Sequence, residues 1–76
     1  MDPREKLAED FDKAAVELEK AAAHCRISAK RYRAHDIPSG CAHAFASIGH
    51  MSKADGLITL NAETHSNFAR IIEEQS

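Results

Sequence analysis

The chain has 76 residues, a net charge of −2, and 43% hydrophobic residues with only 5% aromatic ones. A chain of this length forms one domain, and its core contributes only about 3–5 kcal/mol unless a disulfide, a metal or a second subunit adds to it. The composition excludes a globally basic nucleic-acid binder and a disordered acidic tail. Two cysteines, Cys25 and Cys41, are too few for the disulfide framework of a small secreted domain.

The amino-terminal residues Met1–Glu5 contain no apolar segment of the kind that signal peptides carry. No apolar run approaches the roughly 18 residues that are needed to cross a bilayer. We therefore expect a cytoplasmic protein with reduced thiols.

The first predicted helix extends from about residue 3 to residue 34. Asp2 is a suitable N-cap, Pro3 stands where its missing N–H breaks no hydrogen bond, and Glu5 completes a capping box. Apolar or small residues then recur at alternating spacings of four and three, which is typical of a coiled-coil seam. This series is Leu7, Phe11, Ala14, Leu18, Ala21, Cys25, Ser28 and Tyr32.

Residues 35–40 contain the strongest turn signal in the chain. Pro38 disfavours helical geometry at Ile37, and Asp36 or Ser39 can cap the helix that follows. The turn therefore predicts that the chain reverses direction near Pro38.

The second predicted helix extends from about residue 41 to residue 74. Its series at spacings of four and three, apolar or small except for Asp55 and His65, is Ala44, Ile48, Met51, Asp55, Ile58, Ala62, His65, Ala69 and Ile72. Gly49 and Gly56 each cost about 1 kcal/mol in a helix interior. A three-helix bundle with a break near these glycines is therefore the alternative.

The two series predict an all-α fold, a single domain over residues 1–76 that forms a long antiparallel helical hairpin. If the helices pack antiparallel about Pro38, Leu18 faces Ile58 and Cys25 faces Met51. Asp55 and His65 then occupy seam positions, where polar residues commonly fix register and oligomeric state.

Each helix has a wider apolar face than one neighbouring helix covers. The surplus residues are Val16 on the first helix and Phe45, Leu57, Phe68 and Ile71 on the second. Because an exposed patch of this kind marks an interface, we expect a homodimer that forms a four-helix bundle. The resulting hypothesis is a small non-enzymatic protein-protein interaction module, which is an adaptor, regulator or inhibitor of another protein.

The charges divide the hairpin into two ends of opposite sign. Residues 1–19 carry seven acidic and three basic side chains, whereas residues 20–35 carry five basic and no acidic ones. An antiparallel dimer would place the basic turn end of one copy beside the acidic termini of the other. The pattern alone does not decide between parallel and antiparallel dimers.

Two further functions remain as alternatives. Arg26, Lys30, Arg31 and Arg33 form a basic stretch that can contact a phosphate backbone, so the second hypothesis is nucleic-acid binding. The third is a metal-responsive protein that uses Cys25, Cys41, His24 and His50. The sequence contains no Cys-x-x-Cys and no His-x-x-x-His pair, so we expect no metal or other cofactor. Nor does it contain a nucleophile motif or a Gly-rich phosphate loop, so we expect no enzyme.

Overall fold

The computed structural model describes residues 2–61, 66, 67, 69 and 70. Within these residues the chain is all-helical and has no strand. Helix α1 extends over Pro3–Arg33 and helix α2 over Ile37–Leu60, and the two helices pack against each other. The predicted all-α hairpin is therefore confirmed.

Helix α1 begins where the sequence predicts. The Asp2 carboxylate accepts a hydrogen bond of 2.9 Å from the backbone N–H of Arg4, and Pro3 is the first helical residue. The carboxylate satisfies a donor that the helix itself leaves unpaired.

The link between the helices is shorter than the predicted turn. Helix α2 begins at Ile37, with Pro38 in its first turn and Asp36 as its N-cap. The Asp36 carboxylate accepts a hydrogen bond of 3.2 Å from the backbone N–H of Ser39. Pro38 is compatible with this start because the first N–H groups of a helix have no intrahelical partner.

The chain reverses direction at His35, which has a φ of 63°. Histidine is one of the residue types that adopt this left-handed conformation more often than most. The backbone N–H of Asp36 then donates to the carbonyl oxygen of Arg31 at 2.8 Å. This hydrogen bond closes the end of α1 and fixes the point at which α2 starts.

Helix α2 passes through Gly49 and Gly56 without interruption, so the break considered in the three-helix alternative is absent. It ends at Leu60, and Asn61 is its C-cap. Residues 66, 67, 69 and 70 are again helical. The other residues of the predicted second helix beyond position 61 lie outside the described residues. None of the helices in the described part of the chain is long and apolar enough to cross a bilayer.

The contact between the helices, which we call the seam, consists mainly of small and polar residues, with Leu7 and Leu57 as its large apolar members. Buried residues recur every seven positions: Leu7, Ala14, Ala21 and Ser28 on α1, and Gly40, Ser47 and Ala54 on α2 with its C-cap Asn61. Between them lie Asp10, Glu17 and His24 on α1, and His43, His50 and Leu57 on α2. No large side chain among the described residues is fully buried. The small residues allow the two helices to approach closely.

The predicted register of the seam is wrong. Leu18 does not face Ile58; instead the Ser28 hydroxyl donates to the Gly40 carbonyl oxygen at 2.8 Å, and His24 contacts His43. These pairs are centred on Ala34 rather than on Pro38, because the link ends before Ile37. Half of the α1 residues that the sequence pattern assigned to the seam do lie in it. On α2, within the described range, each seam position is occupied by the residue that directly precedes the predicted one.

Candidate interaction surface

Six large apolar side chains that the sequence pattern assigned to the seam or beside it are exposed in the structure. Five of them directly follow a seam position and Tyr32 continues the same row, and between 40% and 53% of each residue is accessible to solvent. We call this set the apolar face: Phe11, Leu18 and Tyr32 on α1, and Ile48, Met51 and Ile58 on α2.

The apolar face lies on one side of the hairpin. In two antiparallel right-handed helices, the positions that follow the seam point to the same side. Tyr32 shows this directly, because its hydroxyl lies 3.3 Å from the sulfur of Cys41, which follows the seam residue Gly40. The Tyr32 ring also covers Gly40 so closely that a Cβ there would lie 2.8 Å from the ring.

The apolar face is large enough for a stable protein interface. The 24 residues of α2 span about 36 Å, and two helices side by side are about 20 Å wide. The side of the hairpin that carries the apolar face therefore has an outline of about 700 Å², close to the roughly 800 Å² per partner of a standard interface. On α1 it is bordered by the small side chains of Ala8, Ala15, Ala22 and Ala29.

The residues predicted for the dimer face are divided among different surfaces. Phe45 is 74% exposed and points away from α1, and Val16 is 47% exposed. Leu57 is half-buried at a seam position. Phe68 and Ile71 lie outside the described residues.

A shallow pocket of about 470 Å³ lies on the flank opposite the apolar face. Lys13, Glu17, Lys53, Gly56, Leu57 and Leu60 line it. The pocket is open to solvent, and two lysines border its apolar floor.

The four basic residues of the nucleic-acid hypothesis lie within the last eight residues of α1 and are all exposed: Arg26, Lys30, Arg31 and Arg33. Cations at this end of a helix interact favourably with its dipole. None of the four forms an ion pair with another residue in the part of the chain that the structure describes. They are therefore available to an acidic partner.

Among the residues of the metal hypothesis, the rings of His24 and His50 stack on each other, with centroids 5.4 Å apart. Cys25 is exposed and Cys41 half-buried, and both are free thiols. The hydrogen bond between the Tyr32 hydroxyl and the Cys41 sulfur, together with desolvation, raises the pKa of the Tyr32 hydroxyl. Across the described residues, no three His, Cys, Asp or Glu side chains are arranged to hold a metal ion.

His24 and His50 belong instead to a polar group inside the seam, which we call the histidine cluster: Glu17, His24, His43 and His50. The Nδ1 atoms of His24 and His43 are 2.9 Å apart. The ring of His24 stacks on His43 and His50, with centroids 5.1 and 5.4 Å away. Nδ1 of His50 lies 2.6 Å from the carboxylate of Glu17. The cluster thus links the two helices across two successive layers.

Sequence reasoning missed Glu17 and His43 as members of this group. The available signal is their spacing, since Glu17 and His24 are seven residues apart, as are His43 and His50. Residues seven apart share a helix face. Only the correct register shows that the two pairs face each other.

The carboxylates of the seam are held in their ionised form. The hydrogen bond to His50 lowers the pKa of Glu17, and the positive charges of Lys20 and Lys53 act in the same direction. Hydrogen bonds from Lys6 and then Asn61 lower the pKa of Asp10.

Asp10 and Asn61 form the second polar link between the helices. The Asn61 side-chain amide donates to Asp10 at 2.9 Å and to the carbonyl oxygen of Leu57, also at 2.9 Å. Both residues are buried. Polar contacts therefore define the register at this end of the hairpin, as the histidine cluster does further along.

No protein-family model, curated protein or solved structure matches the chain. The structure itself defines the class of molecule: a two-helix hairpin with a small, polar seam and a large apolar outer face. The functional argument therefore rests on the distribution of these residues.

Proposed function

We propose that the chain is a small non-enzymatic interaction protein that acts as a homodimer, in which two hairpins pack through their apolar faces into a four-helix bundle. The observation that supports this proposal most strongly is the distribution of apolar side chains. The buried hydrophobic residues of the described hairpin are Leu7 and three alanines. The six large side chains of the apolar face remain 40–53% exposed. A monomeric protein normally has the opposite distribution.

A second copy of the chain is the occupant that best fits the apolar face. The face contains three side chains from each helix, so two copies can pack face to face around a two-fold axis. The outline of about 700 Å² on this side of the hairpin is close to that of a standard interface. Burial of this area would supply the apolar core that the seam lacks.

Charge complementarity favours an antiparallel arrangement of the two copies. Residues 1–19 carry seven acidic side chains, and the exposed cations Arg26, Lys30, Arg31 and Arg33 lie near the other end of the hairpin. An antiparallel dimer brings these ends together and should be tighter at low ionic strength.

The outer surface of such a dimer would contact another protein. Phe45, at 74% exposure, points away from the seam and from the centre of the apolar face. Large aromatic side chains are enriched in protein interfaces. We therefore propose an adaptor, regulator or inhibitor whose bundle presents Phe45 on its exterior.

The test is the molar mass of two charge variants, measured by analytical ultracentrifugation at low and high salt. Met51→Glu places a carboxylate in the apolar face, and we expect it to reduce the mass to one chain. Ser52→Glu adds the same charge at the next residue, which is exposed and about 100° around the helix. We expect this control to retain a mass of two chains. Equal masses for the two variants would refute the proposed interface.

A further inference from the structure

The histidine cluster has a geometry that limits how many protons it can hold. The two Nδ1 atoms of His24 and His43 are 2.9 Å apart, so one must donate and the other must accept. A doubly protonated pair would direct two N–H groups at each other at this distance. The closed hairpin therefore accommodates one cation in this pair, whereas the unfolded chain accommodates two.

The charged groups around the pair do not compensate a second cation. From α1, the carboxylate of Glu17 contacts His50 at 2.6 Å and Lys20 at 3.7 Å. From α2, His50 and Lys53 add positive or potentially positive charge, and Lys53 acts on Glu17. Within the described residues, no carboxylate contacts either His24 or His43.

His50 faces the Glu17 carboxylate rather than another imidazole, and its Nδ1 atom lies 2.6 Å from that carboxylate. This contact is present both in the wild type and in a variant that changes only the pair. The difference in pH dependence between two such proteins therefore reports on His24 and His43.

We propose that the histidine cluster is an acid-sensitive latch: protonation of both His24 and His43 opens the hairpin. Histidine is the side chain that ordinarily changes charge between pH 5 and 8. At this pair the unfolded chain can bind one more proton than the closed hairpin, so the contribution of the pair to stability decreases as the pH falls through this range. For each proton that the closed hairpin cannot bind, the equilibrium constant of unfolding increases about tenfold for every pH unit below the ordinary histidine pKa of about 6.5.

The latch also regulates the interface, and this part of the inference rests on the proposed function. The apolar face takes three side chains from each helix. Opening the hairpin separates the two halves of the face, so acid should also dissociate the dimer.

The test is urea unfolding of the full chain at pH 7.5 and 5.5, followed by circular dichroism at one fixed protein concentration. For the wild type we expect the unfolding constant to rise about tenfold between these two pH values. His43→Gln replaces one partner of the pair with an amide that can donate to His24 without a charge. We expect its unfolding constant to change less than about twofold.

His35→Asn is the matched control, because it removes an exposed histidine outside the cluster. Asparagine tolerates the φ of 63° found at this position. We expect this variant to keep the tenfold change of the wild type. The same pH dependence in His43→Gln as in the wild type, or none in the wild type, would overturn the proposal.

A histidine titration of the folded wild type by NMR covers the case in which His43→Gln does not fold. We expect His24 and His43 never to be cationic together while the hairpin signals persist. Full protonation of both in the folded state would overturn the latch. Molar mass at pH 7.5 separates this inference from the proposed dimer. A monomer whose unfolding still follows the predicted pH dependence would support the latch and refute the dimer.

Discussion

Replacement of Ala54 by leucine tests the register of the hairpin. Ala54 and Ala14 are each 1% exposed and occupy the same layer of the seam. Ala54→Leu adds three carbon atoms where the two helices already touch. Overpacking of a close-packed site costs about 1–3 kcal/mol. For a domain of this size, that corresponds to a decrease in Tm of about 5–20 °C.

The control for this substitution is Ala42→Leu, which adds the same atoms at an exposed position of α2. Thermal unfolding of both variants is followed by circular dichroism at equal protein concentration. We expect Ala54→Leu alone to lower Tm. In the register predicted from the apolar pattern, Ala54 does not face α1. An unchanged or higher Tm for Ala54→Leu would therefore refute the observed seam.

Two further predictions concern helix propensity and acid stability. A Cβ at Gly56 would have no atom within 4 Å, so we expect Gly56→Ala to stabilise the protein by about 1 kcal/mol; a lower Tm would contradict this. The pKa values of Glu17 and Asp10 are lowered in the folded chain. Their contribution to stability is therefore present above about pH 4.5 and is lost as the pH falls through the folded pKa values. We expect helicity to decrease on acidification below about pH 4, and less steeply in Glu17→Gln; identical profiles would contradict the role of Glu17.

The helical hairpin and its caps could be predicted because their signals are local. Asp2 and Pro3 specify the start of α1 through hydrogen bonds within the first turn. The reversal near Asp36 follows from the turn residues that surround it. These features require no knowledge of the partner helix.

The register could not be predicted because the chain contains two periodic rows on neighbouring faces. Phe11 and Leu18 are more apolar than Asp10 and Glu17, so hydrophobicity favours the wrong row as the seam. The structure instead places small residues such as Ala14 in contact, and it pairs the polar side chains with one another. Close approach of the helices and polar pairing are properties of both helices together.

The histidine cluster was missed for the same reason. His24 and His43 are nineteen residues apart, and their contact depends on a link that ends at Asp36. A turn centred on Pro38 would place His24 opposite a different layer. The histidine cluster therefore depends on the register of the two helices, and the register depends on the residue at which α2 begins.

The molar mass of the wild-type chain in solution tests the central claim most directly. We propose light scattering at two protein concentrations, at pH 7.5 and low salt. The apolar face predicts a mass near twice the 8.4 kDa of one chain, and this mass should persist on dilution to micromolar concentration. A mass of 8.4 kDa at both concentrations, together with full helicity, would show that the hairpin is stable alone and would contradict the proposed dimer.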